Sequence, residues 1–128
     1  MRRRMGTFHA DCVVADHVRR DQRAPVPGML VDTGSEHTWI AEDVLKAIGV
    51  VPEKRAVRFV LANGRTVSRD IGFAVIHVRE RFTVDEVVFA KPGDLQLLGA
   101  RTLEGLNLTV DPRRKRLVAA GPLPAAGS

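Results

Sequence analysis

Met29-Leu-Val-Asp-Thr-Gly-Ser-Glu-His-Thr-Trp-Ile40 is the stretch on which the reading of this chain turns. An apolar run stops at Asp32, and Thr33-Gly34-Ser35 follows. The run has the composition of a buried strand, and Asp-Thr-Gly-Ser that of a tight loop. A carboxylate at the end of a buried strand is costly unless hydrogen bonds or a partner satisfy it. Gly34 lets the backbone turn sharply and bring N–H groups near that carboxylate, and Thr33 and Ser35 add hydroxyl donors. By itself the stretch fits either a loop presenting a reactive carboxylate or an ordinary turn.

On its N-terminal side, Thr7 to Ala15 alternates, with Phe8, Ala10, Cys12 and Val14 on one face, which is strand patterning. Asp16 to Arg23 is polar and suits a wide hairpin loop. Ala24-Pro-Val-Pro-Gly28 opens the returning strand, and its two prolines argue for an edge or a strand start. On the C-terminal side, Thr38-Trp-Ile40 reads as a short strand, with Trp39 a packing residue. Ala41 to Ile48 reads as a short helix. Val44, Leu45 and Ile48 share a face, Glu42 and Asp43 suit its N-terminal end, and Gly49 suits its stop.

Ala56-Val-Arg-Phe-Val-Leu61 and Thr66-Val-Ser-Arg-Asp-Ile71 flank Asn63-Gly64, a strong hairpin signal that favours a type I′ turn. The hairpin spans 56–76 with its tip at Leu61, Ala62, Asn63, Gly64 and Arg65. Phe73–Val78 and Thr83–Phe89 read as two further strands joined by a turn at 79–81. An apolar strand from Leu95 ends at Gly99, a short helix carries Leu103 and Leu106, and Asn107–Asp111 forms a strand that Pro112 breaks. Leu117–Ala120 suits a terminal strand. One device occurs twice: Leu30-Val-Asp-Thr-Gly before one helix and Leu97-Leu-Gly before the other are both buried strand, glycine turn, short helix.

Bulk properties narrow the function. A chain of 128 residues with 45% hydrophobic content makes one domain with a real core. Few aromatics and no Tyr leave that core to Val, Leu, Ile and Ala. The single cysteine, Cys12, rules out an internal disulfide framework, suits a reducing compartment and reads as a small core residue. The four histidines are isolated, so no metal-ligand spacing appears. Met1-Arg-Arg-Arg lacks the apolar stretch of a secretory signal, no run has the length of a membrane helix, and the expected location is cytoplasmic. Met5 could equally be the true start. The net charge of +5 concentrates at Arg2-Arg3-Arg4 and Arg113-Arg114-Lys115-Arg116, which read as solvated termini. Without interleaved aromatics to stack on bases, these runs argue against a nucleic-acid surface.

The order of elements, with Leu30-Val-Asp-Thr-Gly-Ser35, the hairpin at Ala62-Asn-Gly64, and Leu97-Leu-Gly-Ala-Arg-Thr-Leu103 before Leu108-Thr-Val-Asp-Pro112, resembles a retropepsin-type aspartic protease. This is the single-domain class of retroviruses with cellular relatives in bacteria and archaea, and the cellular branch is the nearer match. The resemblance covers roughly residues 7–118. It implies a mainly β fold, a closed, barrel-like sheet with one or two short helices, assembled as a two-fold homodimer. It places a tail at 1–6, the protease domain at 7–120 and a flexible tail at 121–128. Two departures stand out. Viral members usually carry Arg or Asn/Asp straight after the second glycine, where this chain has Ala100 and then Arg101, which leaves open whether Arg101 pairs with Glu36. The flap has one tip glycine where viral flaps have several.

The resemblance implies the chemistry of an aspartic endopeptidase. Two carboxylates share a proton, one activating water as base and one polarising the scissile carbonyl as acid. The chain holds one Asp-Thr-Gly, so the second carboxylate would be Asp32 of another copy. In that scheme Asp32 is catalytic, Thr33 braces the two loops across the axis, Gly34 supplies an N–H to the carboxylate and Ser35 donates a further hydrogen bond. Leu61 to Arg65 form the flap over an extended protein or peptide substrate, and no metal or organic cofactor is needed. The alternative is a retropepsin-like module that dimerises or docks peptides without turnover.

Overall fold

The structure, a computed structural model, describes residues 8–126. The expected tail at 1–6 lies outside the described residues. The chain runs β1 (His9–Asp16), β2 (Arg23–Val31), β3 (Thr38–Ala41), α1 (Glu42–Ala47), β4 (Lys54–Val60), β5 (Thr66–Val78), β6 (Arg81–Ala90), β7 (Leu97–Leu98), α2 (Ala100–Gly105), β8 (Leu108–Asp111) and β9 (Arg116–Ala119). Seven strands form one sheet in the order β1-β2-β7-β3-β6-β5-β4. A further pairing of β1 with β5 closes six of them into a ring, and β8 and β9 form a separate hairpin. The fold is the mainly β, barrel-like sheet with two short helices that the resemblance implies.

Alternation explains the ring. Cys12, Val14, Ala74, Ile76, Val78, Val87 and Phe89 point inward and meet Leu45 and Ile48 of the α1 region and Leu103 and Leu106 of the α2 region in the main core. Cys12 is buried there, as a small core residue should be. In β1 the register shifts between Ala10 and Cys12, and the Asp11 carboxylate accepts the Gly28 N–H at 2.8 Å. Pro25 and Pro27 fall in the part of β2 that pairs only with β1, since β7 joins β2 only at Leu30 and Val31. α1 stops where Gly49, at φ +89°, donates its N–H to the Lys46 carbonyl.

Three expectations are corrected. Thr66–Ile71 and Phe73–Val78 are one strand of 13 residues, β5. Its first half pairs with β4 and its second half with β1, while β6 runs along 71–78. The strand expected from Leu95 to Gly99 shrinks to Leu97–Leu98, because only those two residues pair with β2 and only Leu97 also pairs with β3, at Trp39. The turn at Asn63-Gly64 is not type I′. Gly64 N–H donates to the Leu61 carbonyl (2.9 Å) and Leu61 N–H to the Arg65 carbonyl (2.8 Å). Gly64 takes φ +85°, and Asn63 is not among the left-handed residues. This is a three-residue loop with glycine in the left-handed place after the turn.

Candidate active site

The parallel pairing of β2 with β7 fixes where β2 ends. Leu30 N–H donates to the Gln96 carbonyl (3.1 Å), and Asp32 N–H donates to the Leu98 carbonyl (3.0 Å). Asp32 therefore leaves the sheet at a defined point, half-buried, with Thr33 and Gly34 exposed beyond it. Ser35 N–H closes the turn on the Asp32 carbonyl (3.2 Å), and Gly34 N–H donates to Asp32 Oδ1 (3.0 Å). The Ser35 hydroxyl donates to the His37 carbonyl (3.0 Å), which braces the exit of the loop.

The second glycine loop lies against the first. Ala100 N–H donates to the Ser35 carbonyl (2.7 Å) and Arg101 N–H to the Glu36 carbonyl (3.1 Å). The approach is so close that a Cβ on Gly99 would stand 2.3 Å from the His37 carbonyl oxygen and 2.7 Å from that of Glu36. A chain of hydroxyls secures the contact. Gly99 N–H donates to Thr38 Oγ1 (3.0 Å), Thr38 and Thr102 share a hydrogen bond of 2.5 Å, and Thr102 Oγ1 donates to Asp85 Oδ2 (3.0 Å). Because Thr102 uses its one proton on Asp85, Thr38 is the donor in the middle bond. The direction runs from the glycine amide to the carboxylate, and every buried polar atom in it is satisfied.

The hairpin of β4 and β5 covers the same end of the barrel. Val57, Phe59, Leu61 and Val67 pack on a second apolar cluster of Leu30, Trp39, Ile71, Val88, Ala90 and Leu97. Phe59 stands edge-on to both Trp39 (centroids 5.2 Å apart) and His37 (5.5 Å). Trp39 is thus the packing residue the sequence suggested. Ala62, Asn63, Gly64 and Arg65 at the tip are exposed, and Leu61 is half-buried. The structure brings Asp32, Gly34 and Ser35 together, and Leu61 joins the cluster that holds Leu30, two residues before Asp32.

Ion pairs tie these pieces to β6. Glu86 accepts from His37 Nε2 (3.1 Å), Arg101 Nη1 (3.2 Å) and the Lys54 ammonium. The Lys54 hydrogen bond, aided by His37 and Arg101, holds the Glu86 carboxyl below the usual range although burial opposes it. Arg101 also approaches Asp85 Oδ1 at 3.8 Å, so its side chain goes to β6 and only its backbone N–H reaches Glu36. At the other root of the hairpin, Arg69 grips Asp94 through two bonds of 2.7 and 2.9 Å, which holds the Asp94 carboxyl low. Sequence reasoning passed over Asp85 and Glu86. Two adjacent carboxylates inside the strand-like run 82–89 were the available signal, since β6 buries Glu86 and half-buries Asp85.

Among the described residues no group of His, Cys, Asp and Glu is placed to hold a metal ion, and no helix is long and apolar enough to cross a membrane. No curated protein matches the chain. The sequence model of the family described as aspartyl protease matches residues 17–100. That span begins in the β1–β2 loop, holds the Asp32 loop and the β4–β5 hairpin, and closes on the second glycine loop. By strand ring, glycine loops and family match together, this chain belongs to the aspartyl protease family, in its retropepsin-like form.

Proposed function

We propose that the protein is an aspartic endopeptidase whose catalytic pair is Asp32 from each of two subunits of a homodimer. One observation carries this reading. Of the two glycine loops that meet at the end of β2 and β7, only one bears a carboxylate; the other presents Leu98 and Gly99. One chain therefore supplies half of a two-carboxylate site, and a two-fold axis beside the Asp32 loop supplies the other half.

Two carboxylates about 3 Å apart repel by ~5 kcal/mol at an effective dielectric near 20, so the pair retains one proton. The ionised member takes a proton from water while the protonated one hydrogen-bonds the scissile carbonyl. Gly34 N–H, already on Asp32 Oδ1, keeps that carboxylate oriented. Thr33 braces the partner loop in this scheme, a role its exposure beside Asp32 supports. The tip residues Leu61 to Arg65 close over an extended peptide, which binds through main-chain hydrogen bonds. Water is the nucleophile, so the scheme calls for no cofactor.

The test is cleavage of an unfolded protein substrate by the wild type and by Asp32→Asn between about pH 4 and pH 7, where a shared-proton pair operates. Cleavage by the wild type, lost in the variant, supports the reading. Cleavage that survives in Asp32→Asn contradicts it.

A further inference from the structure

We propose that Glu86 is a positioning residue that couples the β4–β5 hairpin to the Asp32 loop through Lys54, His37 and Arg101. The inference rests on the protease reading for its kinetic consequence but not for its structural one. Glu86 is 9% exposed in a strand that otherwise buries Val87, Val88, Phe89 and Ala90. Its partners come from three separate segments: His37 follows the Asp32 loop, Lys54 opens β4, and Arg101 follows Gly99. Each lies one or two residues from a structural joint. His37 precedes Thr38, which holds the Gly99 amide, and Lys54 is the first residue of the hairpin.

The same hairpin touches the same loop a second time through Phe59, edge-on to His37 and Trp39. The carboxylate and the aromatic contact thus fix the β4 side at two points, while Arg69–Asp94 fixes the β5 side. Removing the charge of Glu86 takes from Lys54 and Arg101 the carboxylate they share, while Arg101 keeps the longer approach to Asp85 Oδ1 at 3.8 Å. Without the shared carboxylate between them, these like charges push the root of β4 away from α2, and Phe59 lifts from Trp39 with it. The residue acts through these neighbours, because none of its contacts is to Asp32 or to the tip.

A structural bystander and a positioning residue predict different readouts. Trp39 is the single tryptophan and the chain has no tyrosine, so ultraviolet fluorescence reports this one contact. The experiment compares acrylamide quenching of Trp39 and amide hydrogen exchange in the full chain for Glu86→Gln, Lys54→Met and Lys54→Arg. Lys54 is half-exposed, so its variants keep the fold even where Glu86→Gln does not. Positioning predicts that quenching rises about twofold in Lys54→Met and Glu86→Gln. It further predicts that the β4–β5 ladder loses protection about tenfold while the β5–β6 ladder does not, and that Lys54→Arg restores both. Unchanged quenching in a folded Lys54→Met, or exchange accelerating equally in all ladders, overturns the proposal. In turnover, Lys54→Met raises KM several-fold with kcat held. A quenching response in a protein without Asp32-dependent turnover would sink the protease reading and leave the coupling standing.

Discussion

The two glycine loops share a plan and differ in what they carry. Each follows a buried strand and precedes a short helix, and they are bonded to one another at Asp32–Leu98, Ser35–Ala100 and Glu36–Arg101. The first loop is open: Thr33, Gly34 and Glu36 are exposed, and Asp32 stands half-buried at its start. The second is closed: Leu98, Gly99, Thr102 and Leu103 are buried, and its polar needs are met internally by Thr38 and Asp85. A site of this kind separates presentation from support. The Asp32 loop can be exposed because the loop beneath it is sterically locked.

That contrast can be broken by substitution. Gly99→Ala has the largest expected effect, because its Cβ would meet backbone carbonyls that have nowhere to go. We expect destabilisation of about 3 kcal/mol or more, read by denaturant unfolding. Thr102→Val comes next. It leaves the Thr38 hydroxyl and Asp85 without their shared partner and should cost about 2 kcal/mol. If either variant unfolds like the wild type, the closed loop is not the support described here.

The acid limb of stability sharpens the same contrast. Lys54 holds the Glu86 carboxyl low and Arg69 holds that of Asp94 low. Both carboxyls lie lower in the folded than in the unfolded chain, so the unfolded chain binds more protons as the medium becomes acidic. Their contribution is complete above the ordinary carboxylate range, near pH 4, and is lost as pH falls through the folded values. Thermal melts should fall steeply below about pH 4. In Lys54→Met with Arg69→Met the fall should be shallower and the plateau lower. The smallest effect is at Cys12, whose thiol burial pushes up to about 12. Iodoacetamide at mildly alkaline pH should leave it unlabelled in the native protein and label it once denatured.

Much of this was legible in the sequence because it is local. Alternation indicated β1 and β4, the apolar run 83–89 indicated β6, the apolar face and Gly49 indicated α1, and the apolar run into Asp-Thr-Gly indicated the loop, whereas β5 was read as two strands. The turn type failed for a reason local pattern cannot supply. Asn-Gly fits the centre of a two-residue turn or the end of a three-residue loop, and the register Val60↔Thr66 selects the second. The partners of Arg101 were out of reach for a deeper reason. They depend on β6 running parallel beside β3, with Thr38 opposite Val87, a pairing of residues nearly fifty positions apart. Only then do Asp85 and Glu86 fall beside Thr102 and His37, and only then does the isolated pair of acids acquire a purpose.

Subunit mixing tests the central claim most directly. Wild type and Asp32→Asn are co-refolded in equal amounts, and cleavage is measured per wild-type chain. A site built from one Asp32 of each subunit predicts about half the rate of wild type alone, because random pairing places half of the wild-type chains with an inactive partner. An undiminished rate per wild-type chain, with exchange of subunits verified, would mean that each chain works alone and would contradict the shared site.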